Sequence, residues 1–247
     1  MKVLAVIPAR YASSRFPGKP LALINGKPMI RRVYEQCLKA GSIDEVVVAT
    51  DDERIASAVT GFDGNVMMTS STHKSGTERC NEVANRYLNE GKRFDIVINV
   101  QGDEPYIEPS QIDLVASCFG DDEVEIGTLI KKIENSEELF DPNVVKVVTG
   151  NDETAILFSR QTIPFLRGVE KNEWLMHYDF FKHIGIYAYR PDVLKIIAGL
   201  STTPLEKAES LEQLRWLENG YKIKTRITTF ESISVDTPAD LEKLTGK

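Results

Sequence analysis

Two runs, VVVA at 46–49 and IVINV at 96–100, are apolar almost without interruption. A strand with one wet face alternates polar and apolar residues, so runs like these belong to strands covered on both faces. That requirement points to a mostly parallel sheet held between layers of helices. The rest of the first half agrees, because short β-rich runs alternate there with helical patterns. Strand candidates are Val3–Ile7, Glu45–Thr50, Val66–Thr69 and Asp95–Val100; helix candidates between them are Pro28–Ala40, Asp52–Val59 and Gly76–Asn89. In the first helix Ile30, Val33, Tyr34, Cys37 and Leu38 recur at three- and four-residue steps, and Gly41 ends it.

The second half is more mixed. Val124–Lys131, Val144–Thr149, Ala155–Ser159, His183–Tyr189, Lys222–Thr229 and Ser232–Val235 read as strands, the last two closing the sheet. Asp192–Ala198, Leu205–Glu218 and Pro238–Leu244 read as helices. A wetter stretch, Gly168–Asp179, marks a protruding lobe of about residues 160–190 on what is otherwise one domain, 1–247. A TIM barrel also suits this length, but the later strands are not regularly separated by helices. The expectation is an open, mostly parallel α/β sheet with a small mixed lobe. The apolar start, Val3–Ile7, is cut off by Pro8 and Arg10, too short for a signal peptide, and no run reaches a membrane span. Cys37, Cys80 and Cys118 are few and widely spaced, which suits buried thiols in a reducing cytoplasm.

Charge is distributed unevenly. The chain carries a net −7, yet its first 34 residues hold no acid and include Lys2, Arg10, Arg15, Lys19, Lys27, Arg31 and Arg32. The overall acidity argues against general nucleic-acid binding, whereas a local basic island suits a small polyanion. Arg10, Arg15 and Lys19 lie in PARYASSRFPGKP, a loop-forming run directly behind the first strand. Cationic groups on a loop at a strand's carboxyl end suit a nucleotide triphosphate; the alternative is a solvated basic patch. No G-x-G-x-x-G follows the first strand, and Gly18-Lys19 and Gly26-Lys27 are each followed by proline, so neither common glycine-rich phosphate loop is present.

Two acidic segments complete the pattern. In NVQGDEP, 99–105, a buried strand ends at Gln101, Gly102 permits a turn or close approach, and Asp103 is presented at the sheet edge. It could equally be a polar turn. In SVDTPADL, 234–241, Thr237 caps a helix, Pro238 takes its first position and Asp240 its third, which leaves Asp236 without a structural task. Two carboxylates from distant strand ends facing a basic loop form an oxygen set that magnesium favours beside phosphates. Ser75 and Glu78 satisfy a capping box, and Arg79 is either solvated or aimed at a ligand. His73, His177 and His183 show no metal spacing, and Glu206, Glu209 and Glu212 read as the wet side of a helix.

Taken in order, IPARYASSRFPGKPL, NGKPMI, SGTER, NVQGDEP, NVVKVV, FSR, KHIGIYAY, LEQLRWLENG and VDTPADL resemble the 3-deoxy-manno-octulosonate cytidylyltransferases from Val3 to Leu241. The resemblance implies a Rossmann-like fold of the nucleotide-diphospho-sugar transferase type. It also implies transfer of CMP from CTP to 3-deoxy-manno-octulosonate (Kdo), with pyrophosphate released, for lipopolysaccharide synthesis. Arg10, Ser13, Arg15 and Lys19 would contact the triphosphate, Ser75 and Gly76 the cytidine, and Asp103 and Asp236 would hold magnesium. Arg79, Gln101, Arg160, His183, Tyr187, Glu212 and Gln213 would line the sugar pocket. Arg15, Lys19, Asp103 and Asp236 would carry catalysis, with His183 the fallback for a general base. A homodimer is implied too. Rival readings are a cytidylyltransferase for 8-amino-Kdo, a sialic acid or a polyol phosphate, and a nucleotide-binding regulator without catalysis.

Overall fold

The alternating pattern builds a nine-stranded sheet, seen here in a computed structural model that describes residues 1–12, 16–231 and 233–245. In chain order the elements are β1 Val3–Ala9, the small hairpin β2 Leu23–Ile24 and β3 Lys27–Pro28, α1 Met29–Cys37, β4 Glu45–Thr50, α2 Glu53–Thr60, β5 Val66–Met68, α3 Gly76–Asn89, β6 Ile96–Asn99 and α4 Pro109–Ala116. There follow β7 Ile126–Lys132, α5 Ser136–Phe140, β8 Lys146–Thr149, β9 Ala155–Ser159, α6 Trp174–His177, β10 Phe181–Tyr189, α7 Pro191–Ile197, α8 Pro204–Glu209, α9 Glu212–Glu218, β11 Ile223–Ile227 and α10 Pro238–Thr245.

The strand order is β11-β7-β10-β6-β1-β4-β5, with β8 joined to β10 and β9 to β8. β1 pairs in parallel with both β4 and β6, as does β4 with β5 and β7 with β11. β10 runs against its neighbours β6, β7 and β8. The chain thus works outward from β1 through β4 to β5, then returns to lay β6 on the other side of β1. In open α/β sheets, ligands occupy the crevice at such a switch, beyond the carboxyl ends of the strands.

Burial on both faces follows from the sequence of β1 itself. Val3, Ala5, Ile7 and Ala9 face a core with Ile30, Val33 and Cys37 of α1, Ile55 and Val59 of α2, and Ile112 and Val115 of α4. Leu4 and Val6 face the opposite core, with Cys80 and Val83 of α3, Leu194 and Ile197 of α7, and Leu214 and Trp216 of α9. Each fully buried aliphatic side chain contributes about 1.5–3 kcal/mol, so this double packing fixes the strand ends firmly.

Three expectations are corrected. The expected helix Leu205–Glu218 is two helices, α8 and α9, broken at Ser210, which takes the left-handed conformation with φ 54°. The break lets Glu209 turn back: its carboxylate accepts from Ser159 Oγ at 2.6 Å and from Arg160 N at 2.9 Å. Of the expected strand Ser232–Val235, Ser232 lies outside the described residues and Ile233–Val235 pair with no strand of the sheet. Val235 N instead donates to the carbonyl of Asp103 at 2.9 Å. Of the expected lobe, residues 181–189 are β10 within the sheet, while the segment before them packs a separate core of Ile133, Leu139, Trp174 and Phe180. Among the described residues no helix is long and apolar enough to cross a membrane.

Candidate active site

The carboxyl ends of β1 and β6 sit at the switch point, and a cleft of about 380 Å³ opens over them. Its lining includes Arg10, Lys19, Ser75, Gly76, Arg79, Gln101, Gly102, Asp103 and Asp236. Three separate pieces of chain deliver Lys19, Asp103 and Asp236.

The first is the loop behind β1. Gly18 has φ 72°, and its N–H donates to the Tyr11 carbonyl at 2.9 Å. A Cβ there would lie 3.1 Å from the Tyr11 ring, so both conformation and space call for glycine. The turn sets Lys19 at the start of a short 3₁₀ segment, Lys19–Leu21. Ser13 and Arg15 lie outside the described residues.

The second piece is the end of β6. A Cβ on Gly102 would stand 2.8 Å from the Pro8 carbonyl oxygen, so the two strand ends meet only because residue 102 has no side chain. Asp103 follows immediately. The third piece leads into α10. There Thr237 N and Oγ1 donate to Asp240 Oδ2 at 2.9 and 2.8 Å, and Asp240 N donates to Thr237 Oγ1 at 3.3 Å. The Thr237 hydroxyl holds the Asp240 carboxyl below its ordinary range. The cap is complete without the Asp236 carboxylate, as its sequence position suggested. The Val235–Asp103 backbone bond ties this segment to the end of β6.

These pieces meet at one ammonium. Lys19 Nζ lies 2.7 Å from Asp103 Oδ2 and 3.4 Å from Asp236 Oδ1. The carboxylates therefore face a common point and already share a cation.

α3 closes another side. Ser75 caps it, accepting from Glu78 N at 3.2 Å, and Glu78 accepts from Lys74 N at 2.9 Å. Its N-terminus, Ser75-Gly76, opens on the cleft, a favourable setting for anions. Arg79, one turn on, is 1% exposed. One of its nitrogens donates to Thr69 Oγ1, and Nη2 lies 3.4 Å from Asp51 Oδ2 without the alignment of a hydrogen bond. A guanidinium buried at the cleft wall with spare donor capacity is suited to an acceptor on a ligand.

The residues expected to line one sugar pocket do not share one cavity. Arg79 and Gln101 belong to the main cleft. His183 lines a neighbouring space of about 320 Å³ with Glu104, Lys182 and Glu231. Glu212 lies in a third with Lys74 and Arg215. It is not simply on the wet face of its helix: Oε2 accepts from Thr77 Oγ1 at 2.8 Å, beneath α3, and burial raises its pKa. Tyr187 and Gln213 are buried, with the phenol oxygen and the amide nitrogen unpaired. Arg160 donates through Nε to the Glu209 carbonyl at 2.7 Å and through Nη1 to the Pro142 carbonyl at 3.2 Å.

Thr128 Oγ1 donates to the Ile186 carbonyl at 2.7 Å, and His183 Nε2 lies 3.1 Å from the same hydroxyl. Burial pushes the ring's pKa down to about 4. An imidazole that weakly basic is a poor general base. The same Thr128 bond stabilises a bulge in β10, where the register with β7 shifts between Ile184 and Tyr187. Gly185 in that bulge faces Gln101 and Glu104. Sequence reading passed over Asp51, Thr77, Glu104 and Thr128. Asp51 and Glu104 carried a usable signal, as acids just beyond the carboxyl ends of β4 and β6.

An open sheet with a cation-bearing cleft at its switch point defines a nucleotide-binding α/β protein. Residues 4–224 match the family model described as Cytidylyltransferase, and the chain belongs to that family. More narrowly, it is 54% identical to a 3-deoxy-manno-octulosonate cytidylyltransferase of Parabacteroides distasonis, over 98% of this chain and 96% of the relative. With the protein of the same name from Cytophaga hutchinsonii it is 55% identical, over 99% and 97%. A solved CMP:2-keto-3-deoxy-manno-octonic acid synthetase complexed with CTP superposes with a TM-score of 0.90 at 43% identity, covering 100% of this chain and 98% of that one. A cytidylyltransferase from Leptospira borgpetersenii, 18% identical with a TM-score of 0.64, shares the fold.

Proposed function

We propose that this chain transfers CMP from CTP to the anomeric hydroxyl of 3-deoxy-manno-octulosonate, releasing pyrophosphate. The reading rests above all on the meeting of Lys19, Asp103 and Asp236 in one cleft at the switch point of a cytidylyltransferase fold. The Parabacteroides distasonis and Cytophaga hutchinsonii relatives, 54% and 55% identical over nearly their whole length, carry the Kdo name, which favours Kdo over the sialic acid and polyol phosphate alternatives.

The chemical difficulty is electrostatic. A carboxylated sugar must approach a triphosphate, and two like charges ~4 Å apart cost about 4 kcal/mol at an effective dielectric of ~20. Positioning and charge neutralisation should therefore dominate, as in other phosphoryl transfers. Lys19 and Arg10 supply cationic charge at the phosphates, and the α3 N-terminus offers Ser75 and Gly76 to the cytidine. Arg79 presents its spare donor from the cleft wall. Arg15 is proposed for the departing pyrophosphate.

Asp103 and Asp236 fit a magnesium ion: two carboxylates aimed at one point already hold an ammonium there, and among the described residues no group of three or more His, Cys, Asp or Glu competes for it. A site with one or two carboxylates leaves the other positions to phosphate oxygens and water. Magnesium held there would neutralise phosphate charge and draw the reacting groups together. The sugar side is proposed for Gln101, Arg160, His183, Tyr187, Glu212 and Gln213, of which Gln101 already lines the main cleft while His183 and Glu212 line neighbouring spaces.

We further propose that the chain serves lipopolysaccharide synthesis, works in the cytoplasm and acts as a homodimer. The three cysteines are free and buried, in keeping with a reducing compartment. Phe165 and Met176, 71% and 75% exposed, offer apolar surface to a second copy. The deciding assay is pyrophosphate release from CTP and magnesium with Kdo, 8-amino-Kdo and a sialic acid side by side. Turnover should be fastest with Kdo; no release with any of them overturns the proposal.

A further inference from the structure

We propose that Lys19 is a stand-in cation: its ammonium holds the Asp103 and Asp236 carboxylates together, excludes free divalent cations, and moves to the phosphates when the nucleotide arrives with its metal. The inference rests on the assignment of Asp103 and Asp236 as metal holders.

Two carboxylates from segments far apart in sequence repel one another when brought to a common point, unless a cation lies between them. Here that cation belongs to the protein. Lys19 Nζ contacts both, and the lysine side chain is only 15% exposed. The backbone beneath it is fixed by left-handed Gly18 and the 3₁₀ turn that follows. The head is not fixed. A lysine carries a compact ammonium on a flexible four-carbon stem, so Nζ can swing within the cleft while its Cα stays in place. An arginine fork at this position would be harder to displace.

The arrangement gives binding an order. A free divalent cation must displace an ammonium already paired with both carboxylates and gains little, because the displaced ammonium has no new anion to meet. A metal bound to a triphosphate brings that anion with it, so Lys19 exchanges two carboxylates for phosphate oxygens in the same event. The carboxylate pair is thereby shaped for metal yet closed to it until nucleotide is present.

Manganese titration of nucleotide-free protein, followed by the electron paramagnetic resonance of free Mn²⁺, tests this directly. Lys19→Met should bind Mn²⁺ roughly tenfold or more tightly than the unaltered protein, since one opposing charge at contact distance is gone. Adding Asp236→Asn to Lys19→Met should abolish that gain. Lys19→Gln, which keeps the stem and loses the charge, serves if circular dichroism shows that Lys19→Met does not fold. Equal or weaker Mn²⁺ binding by the folded charge-removed variant overturns the stand-in role. The metal assignment is judged separately, on CTP-loaded protein that retains Lys19. If neither Asp103→Asn nor Asp236→Asn weakens Mn²⁺ binding there, the metal assignment falls, and the stand-in role falls with it.

Discussion

The cleft over β1 and β6 and the wall formed by β10 and α9 are built on opposite plans. In the cleft, Lys19, Asp103 and Asp236 are partly exposed and already paired, the ammonium lying between the two carboxylates. In the wall, polar groups are buried and several are unpaired: the Tyr187 and Tyr189 phenol oxygens and Gln213 Nε2. The cleft stores its electrostatic capacity as ion pairs that can be exchanged. The wall stores it as unmet hydrogen-bonding potential, which costs about 1–3 kcal/mol per group and is recovered when a partner arrives. The difference suggests a division of labour, with charge neutralisation in the cleft and recognition of hydroxyl-rich surface at the wall.

The sharpest way to break the comparison is to remove charge from the cleft. Asp236→Asn should lower kcat by at least ~100-fold, comparable to losing one transition-state electrostatic contact, while leaving the thermal unfolding temperature nearly unchanged. Near-normal pyrophosphate release at saturating magnesium would show that the cleft does not depend on that carboxylate. Next in size is Gly102→Ala. Its Cβ would stand 2.8 Å from the Pro8 carbonyl and would force the two strand ends apart. The expected result is a loss of ~10-fold or more in kcat/KM for CTP and about 1–3 kcal/mol in urea unfolding. An unaltered KM would mean that the strand ends need not meet so closely.

The wall is tested through pH. Burial depresses the His183 pKa to about 4, below its ordinary value near 6.5. The unfolded chain therefore takes up the proton first. The stabilising contribution is complete above pH 6.5 and is lost as pH falls towards 4, about 1–3 kcal/mol in all. His183→Gln should flatten that slope in denaturation curves taken across this range, and neither form should show a kcat inflection near neutrality from residue 183. An inflection that disappears with the substitution would make His183 a working base. The smallest effect expected is that of Ser75→Ala, about 1 kcal/mol of stability from the lost α3 cap, with a modest rise in KM for CTP. If stability falls and KM does not move, Ser75 serves the helix alone.

The same contrast explains what could be read in the sequence. Backbone rules govern the cleft: apolar runs mark the strands, Gly18 and Gly102 mark places where no side chain fits, and the Thr237–Asp240 cap leaves Asp236 over. Lys19, Asp103 and Asp236 were legible for those reasons. Much of the wall was not, because its geometry is tertiary. Nothing local announces that β10 inserts antiparallel between β6 and β7, or that Thr128 donates to the Ile186 carbonyl in its bulge. The break at Ser210 was equally hidden, since a helical pattern continues across it. Glu212 looked solvated by periodicity, yet it reaches under α3 to Thr77, a contact across 135 positions of sequence.

Diffraction at the manganese edge from crystals grown with CTP and Mn²⁺ tests the central claim most directly. An anomalous peak bridging the carboxylates of Asp103 and Asp236 and a phosphate oxygen, at roughly 2.0–2.3 Å from each ligand atom, is the predicted result. Nucleotide in the cleft with its metal held elsewhere, and the two carboxylates still closed on Lys19, would contradict it.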